Sequence, residues 1–179
     1  MRFSLESERL AIRTPRPDDV EFIASLYANR EVMRYIGAGT TLERAAVERR
    51  LAEIAATRVA AWDGLMIATL KNTDERIGRV GLLSTTIDDV PQVEVGWWLD
   101  PEAWGRGFAS EAARLLLDYG FDVLALPYIV AIIQPANIRS QAVATRVGLQ
   151  FDRKTTYRGF AVNIYQGINP TFAKKRSKK

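Results

Sequence analysis

The sequence contains no cysteine and no histidine. The lack of cysteine excludes disulfides, thiolate metal sites and a cysteine nucleophile. The lack of histidine removes the imidazole base, the Ser-His-Asp triad and the commonest metal ligand. Acid–base chemistry must therefore come from Asp, Glu, Tyr, Lys, a serine acting through water, or the α-amino group. We expect no metal site.

Long hydrophobic runs are also missing. The most apolar stretch, residues 123–133, is interrupted by Pro127 and is too short to cross a bilayer. The first residues lack the apolar segment of a signal peptide. With 47% hydrophobic and 26% charged residues among 179, the composition is that of a globular protein. We expect a cytoplasmic protein with no membrane partner.

The net charge of +4 is unevenly distributed along the chain. After Asp152 there are eight basic residues and no acidic one, so the preceding part is acidic. We expect a single domain over residues 1–170 and a basic tail at residues 171–179. The usual role of such a run is a solvated terminus. The alternative is weak, salt-dependent contact of the tail with RNA or another polyanion; no other nucleic-acid contact is expected.

Hydrophobic periodicity and turn residues predict the order β-α-α-β-β-β-α-β-α-β-β, which indicates an α+β or mixed α/β fold on one central sheet. We expect Asp18 and Asp19 to cap the first helix and Thr40 or Thr41 to cap the second. The predicted strands are residues 8–13, 62–70, 77–86, 93–99, 128–133, 150–157 and 160–166, and the later helices are residues 42–58, 109–123 and 140–147.

A glycine-bearing loop follows the strand at residues 93–99 and leads directly into a helix. Gly105 and Gly107 permit positive φ or close backbone approach, and Arg106 adds positive charge. Such a loop can turn its N–H groups toward an anion at the helix N-terminus. It is not a Walker loop, because no Gly-Lys-Ser/Thr follows, and it lacks the third glycine of a dinucleotide fingerprint. By itself the loop identifies no ligand.

A second polar turn follows the apolar strand at residues 128–133. Asn137 and Ser140 are three residues apart, a spacing that suits the start of one helix. Gly148 is a suitable residue to end that helix.

Taken together, these segments resemble the GNAT N-acetyltransferase superfamily, and most closely its RimJ/RimL-like branch. The resemblance spans roughly residues 8–166. It rests on Glu94-Val-Gly-Trp-Trp-Leu, on Trp104-Gly-Arg-Gly-Phe-Ala-Ser-Glu-Ala, and on Asn137-Ile-Arg-Ser140 followed by Val147-Gly148-Leu149-Gln-Phe151.

The resemblance implies an acetyl-CoA-dependent N-acetyltransferase. In that family the loop would receive the CoA pyrophosphate on backbone amides. The strand around residues 97–99 would splay from the strand at 128–133, and the pantetheine arm would lie in this gap. Ser140 matches the position placed near the thioester sulfur. The residues expected to contact the cofactor are Trp97, Trp98, Leu99, Trp104, Gly105, Arg106, Gly107, Phe108, Ala109, Ser110, Asn137 and Ser140.

Attack of an amine on a thioester needs a base for the ammonium proton and a donor for the departing thiolate. Glu94, on the strand that feeds the loop, is the candidate base, acting through water. Many superfamily members carry a tyrosine acid beyond the Asn; Val143 and Ala144 occupy that region here, so Ser140 is the candidate replacement. In the alternative interpretations, Glu94 is a sheet carboxylate, Ser140 a helix cap and Asn137 a turn residue.

The acceptor is less defined than the cofactor. Trp97 and Trp98 must face opposite sides of their strand, so that one could wall the acceptor pocket, although both could be core. Met33, Arg34 and Tyr35 are acceptor-side candidates or a surface loop. The acceptor is a protein N-terminus or a small-molecule amine. A catalytically silent acetyl-CoA-binding module is the alternative function, and the oligomeric state is open, with a homodimer among the alternatives.

Overall fold

One eight-stranded sheet runs through the computed structural model, which describes residues 3–172. Most of the predicted basic tail, residues 173–179, lies outside the described residues. The strands are β1 (Ser4–Glu6), β2 (Leu10–Arg13), β3 (Gly64–Leu70), β4 (Arg76–Ile87), β5 (Val90–Leu99), β6 (Tyr128–Ile133), β7 (Gln150–Tyr157) and β8 (Phe160–Ile168).

Helices cover both faces of this sheet. A π-helical turn, Tyr119–Val123, extends the fourth helix, and its presence explains why the periodicity predicted a single helix as far as residue 123. Single 3-10 turns occur at Pro17–Asp19 and Pro101–Ala103. The α-helices are α1 (Val20–Ala28), α2 (Arg30–Met33), α3 (Arg44–Thr57), α4 (Phe108–Asp118) and α5 (Ile138–Arg146).

The strand order is β1-β2-β3-β4-β5-β6-β8-β7. All neighbours are antiparallel except β5 and β6, which are parallel and share a single register pair, Glu94 with Val130. Beyond this pair the two strands separate toward their C-terminal ends. The predictions of a central mixed sheet and of a splayed strand pair are confirmed.

The two faces of the sheet are buried by different helices. On one face α4 covers a core that includes Val95, Leu99 and Leu116. On the other face α1 and α3 cover a smaller cluster that includes Tyr27 and Val47. Because successive side chains of a strand alternate between faces, each residue of β5 is assigned to one of these two layers.

The helix starts differ from the sequence predictions. Asp19 precedes α1, but its buried carboxylate binds Arg13, Arg76 and the backbone N–H of Arg16 and makes no bond to the helix. Helix α3 begins after Glu43, so the prediction of a threonine cap was wrong. Short β1 and α2 were not predicted, because three or four residues carry too little periodicity to be recognised.

Candidate active site

The glycine loop lies between β5 and α4, as predicted. Gly105 has φ +74° and Gly107 has φ +82°, a left-handed conformation that favours glycine. The indole Nε1 of Trp104 donates to the carbonyl of Leu99 at 2.9 Å, which anchors the loop to the end of β5. Among residues 3–172, the N–H groups from Gly107 to Ser110 have no acceptor. The loop therefore presents unpaired amides at the start of α4.

The gap between β5 and β6 exposes strand backbone. The N–H of Asp100 donates to the carbonyl of Ile77 at 2.9 Å, so Asp100 forms a hydrogen-bonded pair with β4. In an antiparallel ladder such pairs alternate with residues whose N–H and C=O point to the other edge. The backbone N–H and C=O groups of Leu99 and Trp97 are therefore directed toward β6. At this point β6 no longer pairs with β5.

Helix α5 begins on the far side of the gap. The side-chain carbonyl of Asn137 accepts from the N–H of Ser140 at 3.1 Å, so Asn137 is the helix cap and Ser140 lies in the first turn. The alternative of Ser140 as the cap was wrong. The Ser140 hydroxyl makes no hydrogen bond within residues 3–172 and is free to meet a ligand.

Helix α5 contacts both the glycine loop and α4. The guanidinium of Arg139 lies over the Trp104 ring at 5.1 Å. Near the end of α5, Nη1 of Arg146 donates to the hydroxyl of Ser110 at 3.1 Å. These contacts place α5 beside the glycine loop and the start of α4.

Several residues that were predicted to contact the cofactor have side chains that pack within the protein. Phe108 and Ser110 are buried, and the Phe108 ring lies between the guanidinium groups of Arg9 and Arg106, at 4.6 and 4.8 Å. Ala109 is half-buried and packs against the α4-side core. Their side chains pack within the protein, and their backbone N–H groups have no acceptor among the described residues.

Glu94 lies at the point where β5 and β6 part. Its side chain shares a face with Trp98, on the side of α1 and α3 rather than that of α4. The side chain makes no hydrogen bond or ion pair within the described range 3–172. Burial raises the pKa of Glu94 to about 7, while the positive charge of Arg158 acts in the opposite direction. A carboxyl group with this pKa can both accept and release a proton near neutrality.

The two adjacent tryptophans face opposite layers, as predicted. Trp97 packs against the core on the α4 side. Trp98 meets the ring of Tyr27 edge to face, with centroids 5.5 Å apart, and packs near Met33. The backbone of Trp98 pairs with Arg79 of β4, so neither its backbone nor its side chain is directed into the gap.

The segment after α2 contacts the residue that follows β6. Nε2 of Gln134, just after β6, donates to the carbonyl of Gly37 at 2.8 Å. Met33 is buried, whereas Arg34 is exposed and lies 5.2 Å from the ring centroid of Tyr35. The acceptor-side role of residues 33–35 stays a prediction.

Sequence reasoning missed the contribution of the β7–β8 hairpin. The hydroxyl groups of Tyr157 and Thr85 are 2.8 Å apart, which joins this hairpin to the β4–β5 hairpin. Asp88 accepts hydrogen bonds from Thr155 at 2.7 Å and from Arg153 at 3.0 Å. The two hairpins line an open groove that includes Arg158. The Arg158-Gly159 turn was visible in the sequence. Its proximity to Glu94 depends on how the folded sheet brings the two hairpins together.

Within residues 3–172, no group of three acidic side chains is placed to hold a metal ion. No helix in this range is both long and apolar enough to cross a bilayer.

Comparison with known proteins agrees with this geometry. The family model described as acetyltransferase (GNAT) domain matches residues 9–150. The chain is 28% identical to the N-acetyltransferase YoaA of Bacillus subtilis (strain 168) over 176 residues, covering 93% of this chain and 97% of that protein. It is 32% identical to the B. subtilis protein YkkB over 102 residues, or 57% of this chain and 59% of that protein.

Solved structures share the fold. A GNAT-family acetyltransferase from Bacillus anthracis superposes with a TM-score of 0.79 at 22% identity, covering 93% of this chain and 99% of that chain. RimL, a ribosomal L7/L12 α-N-protein acetyltransferase in complex with coenzyme A, superposes with a TM-score of 0.76 at 18% identity. The match covers 93% of this chain and 98% of that chain. A spermidine N-acetyltransferase from Vibrio cholerae in complex with CoA and spermine superposes with a TM-score of 0.75 at 20% identity. The match covers 93% of this chain and 99% of that chain.

The site and fold therefore define an acyltransferase of the N-acetyltransferase type. The chain belongs to the GNAT acetyltransferase family, as the sequence resemblance predicted, and it shares its fold with RimL.

Proposed function

We propose that this protein transfers an acetyl group directly from acetyl-CoA to a primary amine. The observation that carries the proposal is the separation of β5 from β6 beyond Glu94, beside the unpaired amides at the start of α4. This arrangement offers strand-like backbone partners for an extended arm and an anion site at its end. Both match the chemistry of CoA, which supplies an acetyl thioester on a long amide-containing arm.

The cofactor site is proposed in three parts. The amides from Gly107 to Ser110 would bind the pyrophosphate, with charge from Arg106. The outward N–H and C=O of Trp97 and the outward N–H of Leu99, whose carbonyl already accepts from Trp104, would pair with the amides of the arm. Asn137 would order the start of α5, because its side chain already accepts from the Ser140 N–H, and would border the arm.

Glu94 is the proposed general base, acting through a water molecule. Its side chain lies on the α1 and α3 side of the sheet, so the amine would approach from that side while CoA occupies the gap. With a pKa of about 7, the carboxyl is ionised in a large fraction of molecules at neutral pH and can take a proton from an ammonium group. The amine itself attacks the thioester, so no protein nucleophile is needed.

Ser140 is the proposed proton donor to the departing thiolate. Its hydroxyl has no partner among residues 3–172, and it lies in the first turn of α5. The positive end of a helix dipole favours negative charge at this position. Loss of such a donor costs a reaction about 10²-fold to 10⁴-fold when the proton transfer is part of the rate-limiting step.

The acceptor class is proposed to be a protein N-terminus or a small-molecule amine. RimL and the spermidine enzyme share this fold and act on different kinds of amine, so the fold does not choose between them. We propose that residues 1–170 are the catalytic unit and that the basic tail, residues 171–179, is dispensable for turnover.

The test is a thiol-release assay with acetyl-CoA and a panel of N-terminal peptides, polyamines and aminoglycosides. We expect turnover with one class and a large loss in Glu94→Gln and Ser140→Ala, while both variants still bind CoA by calorimetry. Glu53→Gln on α3 and Ser25→Ala on α1 are matched exposed controls and should retain activity.

Two results would contradict the proposal. Tight CoA binding without turnover on any amine would favour the silent CoA-binding module. No CoA binding by the unsubstituted protein would rule out both functions.

A further inference from the structure

Arg9, just before β2, contacts the glycine loop. Its Nη1 donates to the carbonyl oxygen of Arg106 at 3.2 Å. Its guanidinium lies 4.6 Å from the centroid of the Phe108 ring. A Cβ built on Gly107 would lie 3.5 Å from Nη2 of Arg9, which shows how closely the side chain approaches the loop.

Arg9 is itself held by Glu111 of α4. The two carboxylate oxygens accept from the Arg9 backbone N–H at 2.9 Å and from its Nε at 2.6 Å, and Ser7 donates to the same carboxylate at 2.7 Å. Burial would raise the pKa of Glu111, but the bonds from Ser7 and Arg9 outweigh it and keep the pKa below the ordinary value. Glu111 therefore stays ionised, and Arg9 has a fixed anchor one turn from the loop.

The bond to Arg106 fixes the direction of the next amide. In a planar trans peptide, the C=O of one residue and the N–H of the next point in opposite directions. The carbonyl of Arg106 faces the Arg9 guanidinium, so the N–H of Gly107 points away from that guanidinium. This N–H has no acceptor among residues 3–172, so it is available to a ligand on that side of the loop.

We propose that Arg9, anchored by Glu111, is a positioning residue that orients the Gly107 amide toward the diphosphate group of the acyl donor. The inference rests on the proposed function and deepens it. Nε and Nη2 of Arg9 are directed to Glu111 and Nη1 to the carbonyl of Arg106, so the proposed role of Arg9 is exerted through the loop. Lysine would not replace it, because a single ammonium group cannot make these divergent bonds.

The test compares donors with and without the diphosphate. In Arg9→Gln, loss of an oriented bond to a charged group should raise KM for acetyl-CoA about tenfold, with kcat unchanged. The kcat/KM for acetyl-pantetheine, which lacks the diphosphate, should not change. Inorganic pyrophosphate should inhibit the unsubstituted protein competitively with acetyl-CoA, and its inhibition constant should rise in the variant. Lys71→Gln is the matched control, because Lys71 pairs with Glu6 and contacts Ser7 without touching the loop.

Glu111→Gln separates positioning from direct binding. If Arg9 acts through the loop, Glu111→Gln should weaken the binding of acetyl-CoA as Arg9→Gln does. The double variant should then lose little more affinity than either single variant. Unchanged or tighter binding in Glu111→Gln would overturn the proposal, because it would mean that a freed Arg9 binds the ligand directly. Equal losses with acetyl-CoA and acetyl-pantetheine would also overturn it and indicate a structural role. Failure of the proposed function is distinct, because it would be seen in the unsubstituted protein, either as no turnover on any amine or as no CoA binding.

Discussion

The guanidinium of Arg13 binds both carboxylate oxygens of Asp19, with Nη1 2.7 Å from Oδ2 and Nη2 2.9 Å from Oδ1. The Asp19 side chain is completely buried, and it also accepts from Nε of Arg76 and from the backbone N–H of Arg16, both at 2.6 Å. One carboxylate thus joins the start of α1 to β2 and β4. This network holds the α1 layer against the sheet on the side of Glu94.

Asp19→Asn should destabilise the fold strongly. Removing the charge of Asp19 leaves the mostly buried guanidinium of Arg13 without its ion-pair partner, at a cost of roughly 3–5 kcal/mol. Urea unfolding at pH 7 measures the loss. The matched control is Asp18→Asn, whose exposed pair with Arg76 should contribute less than about 1 kcal/mol. Equal effects of the two variants would contradict the importance assigned to the buried network.

The same network makes stability depend on acid. Burial would raise the pKa of Asp19, but the bonds from Arg13, Arg16 and Arg76 outweigh it and hold the pKa at about 2, below the ordinary 3.8. The stabilisation is therefore fully present above about pH 4 and is lost as the pH falls toward 2. Asp19→Asn should lack this part of the acid dependence, which unfolding curves between pH 5 and pH 2 would reveal.

The rate should follow the ionisation of Glu94. A base must be deprotonated to act, so kcat/KM should rise with pH through about 7 and then level off until another group titrates. The profile is measured with saturating acetyl-CoA and a low concentration of amine whose own pKa is known. Glu94→Gln should lower the rate and remove the inflection near pH 7. An unchanged inflection in that variant would assign the titration to another group.

Arg158 should tune this profile. Its positive charge favours the ionised form of Glu94, so Arg158→Gln should raise the pKa of Glu94 and shift the inflection to higher pH. Lys154→Gln is the control, since Lys154 is exposed on the same hairpin and causes no shift in the Glu94 pKa. A shift to lower pH, or equal shifts in both variants, would contradict the electrostatic role of Arg158.

Gly107→Ala should weaken cofactor binding. A residue with a Cβ is strained at φ +82° by roughly 1–2 kcal/mol, and relief of this strain would turn the loop amides. We expect KM for acetyl-CoA to rise about tenfold. Gly148→Ala is the matched control, because Gly148 has φ +92° at the end of α5, with open space around it. Both variants should lose stability, measured by thermal unfolding, but only the first should lose cofactor affinity.

Local signals in the sequence predicted much of the site. The β-branched residues of β6 predicted a strand with the observed bounds Tyr128–Ile133, because a central buried strand is apolar on both faces. Gly105 and Gly107 were expected to permit positive φ or close backbone approach, and both adopt positive φ. These features depend on residues that are near one another in the chain.

Features that depend on distant partners were not predicted. Asp19 was expected to cap α1, yet Arg76, far along the chain, takes its carboxylate into an ion network. The spacing of Asn137 and Ser140 suited one helix start, but only the hydrogen bond between them shows which residue is the cap. The raised pKa of Glu94 arises from burial by the folded sheet, and no local pattern carries that information.

The single register pair between β5 and β6 divides the sheet into two leaves, β1 to β5 and β6 with β8 and β7. Backbone amides of Trp97 and Leu99 at this seam should exchange with solvent deuterium faster than their neighbours paired with β4. An extended ligand that pairs with them becomes in effect a ninth strand and fastens the leaves together. The free energy of ligand binding therefore adds to the stability of the whole sheet. The melting temperature should rise with the fraction of the protein that holds the ligand.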